Sequence, residues 1–232
     1  MKKIGLIGGM SWESTTEYYR IINETVREMR GELHSAEIIL YSVDFYVIEQ
    51  LQHEGKWDEA GRVLADIAMK LERVGADFIV ICTNTMHKVA RQVEDTIGIP
   101  LLHIAEPTIR AIGARKLERI LLLGTRYTMV EDFYKGRYAG SGIEVQIPDA
   151  TDRDVVNRII FEELCLGVIR EDSRAKMLAM IEKASAKGAQ GVVLGMYGIG
   201  VVDSGAGRCV ANLQNRRTSR GICGKGSLAI RR

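Results

Sequence analysis

No stretch of this chain reaches 18 consecutive apolar residues, although 46% of its residues are apolar. A membrane-spanning helix needs about 20 such residues in a row, so the apolar content is read as a core and no membrane span is expected. Cysteine is sparse: there are four, without the spacing of a disulfide framework. Cys82 closes an apolar run, which suits a reducing, cytoplasmic compartment. The histidines are few and dispersed, at positions 34, 53, 87 and 103. No imidazole, thiol or carboxylate group has metal-ligand spacing, so no metal is expected. The G-x-G-x-x-G pattern of dinucleotide sites is missing. Acids are absent after Asp203, where seven basic residues remain: Arg208, Arg216, Arg217, Arg220, Lys225, Arg231 and Arg232. The rest of the chain carries 25 basic and 30 acidic residues beneath an overall charge of +2. A basic tail points towards nucleic acid, but the body is acidic and no aromatic platform accompanies the tail. No nucleic-acid partner is expected.

What is present is an alternation of strand and helix patterns. A length of 232 residues fits one large domain or two small α/β lobes. Met1-Lys2-Lys3 passes into Ile4-Gly5-Leu6-Ile7-Gly8-Gly9, and Glu13 follows soon after; this reads as a buried first strand, not a signal peptide. Strand patterns cover residues 3–8, 37–43, 78–81, 99–102, 119–125, 143–147 and 192–194. Helical spacing covers 14–29, 58–73, 86–96, 107–114, 128–138, 155–166 and 173–187. Ser11 or Ser14 can cap the first helix. Two stretches share one design. Gly75-Ala76 and Gly188-Ala189 each end a helix and open a buried strand, and each strand ends in a small or polar cluster. Ile4 and Phe78 are separated by 74 residues, and Ile120 and Val192 by 72. The expected fold is α/β: two Rossmann-like parallel-sheet lobes related by internal duplication, residues 1–108 and 109–205, with the active-site cleft between them at the strand tips. Residues 206–232 lose hydrophobic periodicity and read as an irregular basic tail.

The chemistry-bearing residues lie at those tips. Gly8-Gly9-Met10-Ser11-Trp12 follows the first strand; it is either a tight turn or a place where backbone approaches a small carboxylate. Thr83-Asn84-Thr85 presents two hydroxyls and an amide, with His87 one turn on. Such side chains and backbone N–H groups can hold a carboxylate without a metal. Cys82 and Thr83 alternate, so one of them faces the cleft, and Cys82 is read as the core thiol. Thr125-Arg126-Tyr127-Thr128 is the second lobe's counterpart; its hydroxyls either cap the next helix or complete a carboxylate pocket. Glu162-Glu163 are adjacent acids that point apart and read as a solvated face.

Four segments resemble the aspartate/glutamate racemase family, in particular its bacterial branch specific for L-aspartate and L-glutamate: Gly8-Gly9-Met10-Ser11-Trp12-Glu13-Ser14-Thr15, Cys82-Thr83-Asn84-Thr85-Met86-His87-Lys88-Val89-Ala90, Leu123-Gly124-Thr125-Arg126-Tyr127-Thr128-Met129 and Ile160-Phe161-Glu162-Glu163-Leu164-Cys165-Leu166-Gly167. The resemblance extends over residues 1 to about 200. It implies a homodimeric enzyme that uses neither pyridoxal cofactor nor metal. Two bases on opposite faces of Cα would exchange the α-proton of an acidic amino acid. By the same resemblance, Thr83 is one acid/base, position 196 hosts the other, and Met10, Gln52, Thr83, Asn84 and Thr85 contact substrate; Thr125 joins them as a candidate contact from its place at the second lobe's strand tip. A related cofactor-free decarboxylase and an inactive acidic amino-acid-binding protein are the alternatives.

At Thr83 the chain differs from most of the family but resembles the L-specific branch, where threonine also stands and takes the weaker of the two roles; at position 196 it departs from both. Many members have cysteine where Thr83 stands, and a hydroxyl is a weak base at neutral pH. The family's second motif, Gly-Cys-Thr-Glu, here reads Gly195-Met196-Tyr197-Gly198, and a thioether carries no proton. Met196-Tyr197 must be encoded ATG-TAY. Read one base out of step, this contains TGT, cysteine, followed by threonine when the tyrosine codon is TAC. Glutamate is then permitted from Gly198-Ile199. With the same offset, residues 215–221 can read Thr-Ala-Ala-His-Arg-Glu-Ala, which resembles the family's closing helix. A reading-frame slip near Gly195 is therefore expected, with true divergence as the rival account, and little activity is expected of the chain as written.

Overall fold

The computed structural model of the protein describes residues 1–195. They group into two units, one of Met1–Pro107 with Val130–Arg137, the other of Thr108–Met129 with Tyr138 onward. Each is built on a three-stranded parallel sheet whose first strand lies in the middle.

In the first unit, β1 (Ile4–Gly8) lies between β2 (Ile38–Ser42) and β3 (Phe78–Ile81). Ile7 faces Tyr41 on one side and Ile81 on the other. A strand paired at both edges and covered by helices is apolar almost throughout, and Leu6 and Ile7 are fully buried. The helix α1 (Trp12–Arg30) is capped by Ser11, whose hydroxyl accepts from Ser14 N. A second helix, α2 (Phe45–His53), begins at Asp44, whose carboxylate accepts from Tyr46 N. In α3 (Trp57–Arg73), Ala60, Leu64, Ile67, Ala68 and Leu71 recur on one face and are buried. With Ile7, Ile79, Ile81, Met86 and Val93 they form the unit's core. A 3-10 turn over Thr85–Val89 runs into α4 (Ala90–Glu94), and α5 (Ala105–Ala114) starts at the end of the unit.

The second unit repeats the plan with β4 (Arg119–Gly124) between β5 (Glu144–Gln146) and β6 (Gly191–Gly195). The helix α6 (Arg126–Val130) follows β4, and α7 (Asp132–Ala139) follows in turn. Asp149 caps α8 (Ala150–Glu162), and α9 (Glu171–Ala186) leads back to β6. Leu121, Leu123, Val156, Ile160, Met177, Ile181, Val192 and Leu194 belong to its core.

The expected duplication is visible bond by bond. Gly75 ends α3 at φ +94, with Gly75 N donating to Glu72 O and Ala76 N to Leu71 O. Gly188 ends α9 at φ +90, with Gly188 N donating to Ser185 O and Ala189 N to Ala184 O. Both are the paired-bond helix stop that requires a left-handed residue. The next residue then begins the ladder in each case: Asp77 N donates to Lys3 O at 2.8 Å, and Gln190 N to Arg119 O at 2.9 Å. Its side chain accepts in return, Asp77 from Lys3 N and Gln190 from Arg119 N.

Some elements differ from the sequence expectation. The strand expected at 99–102 is reduced to a single bridge, Ile79 with Leu101, because the chain is diverted at Ile104, whose N–H goes to the His87 ring. The helix expected at 86–96 is a 3-10 turn followed by a short α-helix. That at 128–138 is divided at Glu131 into α6 and α7. The helix α8 starts five residues early, at the cap Asp149 supplies, and α2 was not anticipated at all. The basic tail and its comparison with a closing helix lie outside the described residues.

Candidate active site

At the exit of β1, both glycines are demanded by crowding. A Cβ on Gly8 would lie 2.3 Å from Thr15 Cγ2, and one on Gly9, at φ +92, would lie 2.2 Å from Val43 O. Close packing on β2's exit and on α1 therefore accounts for the pair as a tight turn. Thr15 ties this turn to the helix: its hydroxyl accepts from Gly9 N at 2.9 Å and donates to Ser11 O at 3.0 Å.

At the exit of β3, Cys82 N donates to Ile7 O at 2.9 Å. The Cys82 side chain is fully buried, and burial pushes its thiol pKa up. A thiol held protonated in apolar surroundings is a core group, not a base. Thr83 follows, half-buried. Asn84 and Thr85 are buried, and Asn84 Oδ1 has no hydrogen-bond partner among the described residues. Gln52, on α2, is buried and donates through Nε2 to Met86 Sδ at 3.0 Å. Met10 joins the same core as Met86. Met10, Gln52, Thr83, Asn84 and Thr85 all belong to the first unit.

His87 is not placed to hold a carboxylate. Both ring nitrogens are committed to backbone: Nδ1 to Thr83 O at 2.7 Å and Nε2 to Ile104 N at 3.1 Å. Ile104 N can only donate, so Nε2 accepts and Nδ1 carries the proton. Burial pushes the pKa of His87 down to about 4, with Arg137 adding to the effect. His103 packs edge-on against it, 4.4 Å between ring centroids, and its Nδ1 accepts from Ala105 N at 3.2 Å. Burial and the neighbouring imidazole hold His103 well below the usual range too.

In the second unit, Thr125 Oγ1 accepts from Thr128 N at 3.3 Å and lies 3.1 Å from Thr128 Oγ1. It caps α6. Gly124 and Gly195 sit opposite each other in the ladder, and both press against the fully buried Thr128. Met196 is the next residue in sequence and lies outside the described residues. Glu162 is exposed as expected, but Glu163 is half-buried and accepts from Ser173 Oγ at 2.8 Å; its position at the end of α8 turns it inward. Among the described residues no group of three or more His, Cys, Asp or Glu is placed to hold a metal ion, and no helix is long and apolar enough to cross a membrane.

Sequence reasoning missed two contacts at the Thr83 tip. Ser14 Oγ donates to Cys82 O at 3.3 Å, although Ser14 had looked only like a helix cap. His87 grips the Thr83 carbonyl instead of facing outward. The first joins residues 68 apart, and nothing in local spacing marks it.

Known proteins are similar to this chain in sequence and fold. The chain is 48% identical to a protein from Yersinia pestis assigned as an Asp/Glu racemase; the match covers 95% of this chain and 99% of that one, with a TM-score of 0.83. It is 32% identical to an aspartate racemase homologue from Pyrococcus horikoshii, over 95% and 98% of the two chains, with a TM-score of 0.78. It is 29% identical over 162 residues to the broad-specificity amino-acid racemase RacX of Bacillus subtilis, which is 68% of this chain and 69% of that protein. The sequence profile of the Asp/Glu/hydantoin racemase family matches residues 7–210, and the chain belongs to that family.

Proposed function

We propose that this chain is built to racemise L-aspartate or L-glutamate without pyridoxal phosphate, by two-base proton transfer at Cα, and that one of its two bases is missing. The supporting observation is the repeated helix stop and ladder register. Ile4 faces Phe78 in one sheet, and Ile120 faces Gly191 in the other. Counting along the two strands makes Cys82 the counterpart of Gly195 and Thr83 the counterpart of Met196. Matched tips are what a reaction needs when a proton leaves one face of a carbon and returns on the other. Thr83 supplies a hydroxyl, a weak base, and the thioether of Met196 supplies none. Met10, Gln52, Asn84, Thr85 and Thr125 are the proposed substrate contacts, and the working form is a homodimer.

The test is α-proton exchange: L-glutamate or L-aspartate is incubated with the protein in D2O and the Hα signal is followed by NMR. Exchange no faster than in protein-free buffer is the expected result, and robust exchange would refute the loss of the second base. A binding protein without catalysis is the second reading, favoured by Met196. Tight binding of L-glutamate with no exchange in any variant would support it. The reading-frame slip near Gly195 is proposed as the origin of the defect. An unbroken frame in the resequenced gene, with no one-base lesion, would remove it.

A further inference from the structure

Thr83 is flanked by two peptide groups, and buried side chains from two different elements hold both. The Cys82 carbonyl, on its N-terminal side, accepts from Ser14 Oγ of α1 at 3.3 Å. The Thr83 carbonyl, on its C-terminal side, accepts from His87 Nδ1 at 2.7 Å. Fixing both carbonyls fixes the rotation of the backbone on either side of the Thr83 Cα, and so the direction of its side chain. Neither partner is itself loose. Ser14 belongs to the first turn of α1, and its N–H is held by the Ser11 cap. The His87 ring is anchored on its far nitrogen by Ile104 N at 3.1 Å and packs on His103. Ser14 and His87 are both buried.

We infer that Ser14 and His87 are positioning residues, a two-sided clamp that aims the Thr83 hydroxyl. This rests on the proposed role of Thr83 but is separable from it. His87 acts here through a fixed tautomer, as a donor to backbone, and takes no proton from substrate. Its low pKa, set by burial, agrees with that role. Substrate is bound in the correct pose only while both carbonyls are held, because a displaced hydroxyl no longer meets its target.

The test uses the full chain and isosteric variants. In His87→Asn the amide nitrogen replaces Nδ1 and still donates to Thr83 O. In His87→Gln the amide oxygen replaces the Nε2 acceptor, and the Thr83 carbonyl is abandoned. Long-range imidazole NMR on the unaltered chain should show a protonated Nδ1 and a bare Nε2 at His87. The Thr83 carbonyl carbon shift should move in His87→Gln and stay close to its original value in His87→Asn. Calorimetric affinity for L-glutamate and L-aspartate should fall about tenfold in His87→Gln and in Ser14→Ala, and change by less than about threefold in His87→Asn. Melting temperatures measured alongside separate positioning from folding, since both His87 variants lose one anchor and should melt similarly. Equal affinities in the two His87 variants, or a Thr83 carbonyl shift that ignores His87→Gln, would overturn the clamp. Failure of the unaltered chain to bind either amino acid would instead overturn the substrate reading, and the carbonyl shift would still decide the clamp.

Discussion

His87 is neutral in its buried site, and that neutrality links stability to acid. Its pKa is near 4 in the folded chain against an ordinary value of 6.5. The unfolded chain therefore binds the extra proton first as pH falls. The contribution is fully present above 6.5, is lost between 6.5 and about 4, and is at most about 3 kcal/mol. Urea unfolding measured at intervals from pH 7 to pH 4 should show this decline, and His87→Asn should flatten that part of the profile. An unchanged slope in the variant would mean that other groups govern the acid limb. From sequence, His87 was visible as a polar residue beside a candidate site, but its task was not. One-dimensional spacing cannot reveal that a ring bridges Thr83 O and Ile104 N, since the two lie on separate segments.

The β1–α1 turn is the element on which the first tip depends. Thr15 satisfies Gly9 N and Ser11 O with one hydroxyl. Thr15→Val keeps the shape, removes both bonds and leaves a buried N–H unpaired, a loss of about 2 kcal/mol, whereas Thr15→Ser should restore most of it. Gly9→Ala should be worse, roughly 3 kcal/mol or more, because φ is +92 and Val43 leaves no room. Chemical denaturation of the three variants checks the order. The helices α1 and α3 were legible because their apolar residues recur regularly over 19 and 17 residues, and the central strands because they are short unbroken apolar runs. By contrast, α2 is only nine residues, and its signal is the Asp44 cap. The run at 99–102 does pair with β3 at Ile79, but only as a single bridge, and how far a ladder extends is set by tertiary neighbours and not by propensity.

At the scale of the whole molecule the two sheets share strand order, helix stops and ladder starts, so a defect at one tip can be judged against the other. Met196→Cys alone should restore little α-proton exchange, because the threonine and glutamate positions that follow are altered too. A chain expressed with the frame shifted by one base after Gly195 should exchange and racemise. Activity from the single substitution equal to that of the frame-shifted chain would show that the residues after 196 are dispensable. The sequence by itself determined the α/β class, the internal repeat, the family and the absence of a thiol at position 196. Each rests on local pattern, residue identity or the genetic code, and none requires distant parts of the chain to meet. Only the tertiary structure decided that Cys82 is sealed in the core, that Gly8 and Gly9 answer to crowding by Thr15 and Val43, and that Ser14 and His87 hold the peptides flanking Thr83. Burial and hydrogen-bond partnership are set by which segments pack together, and packing is a property of the folded chain.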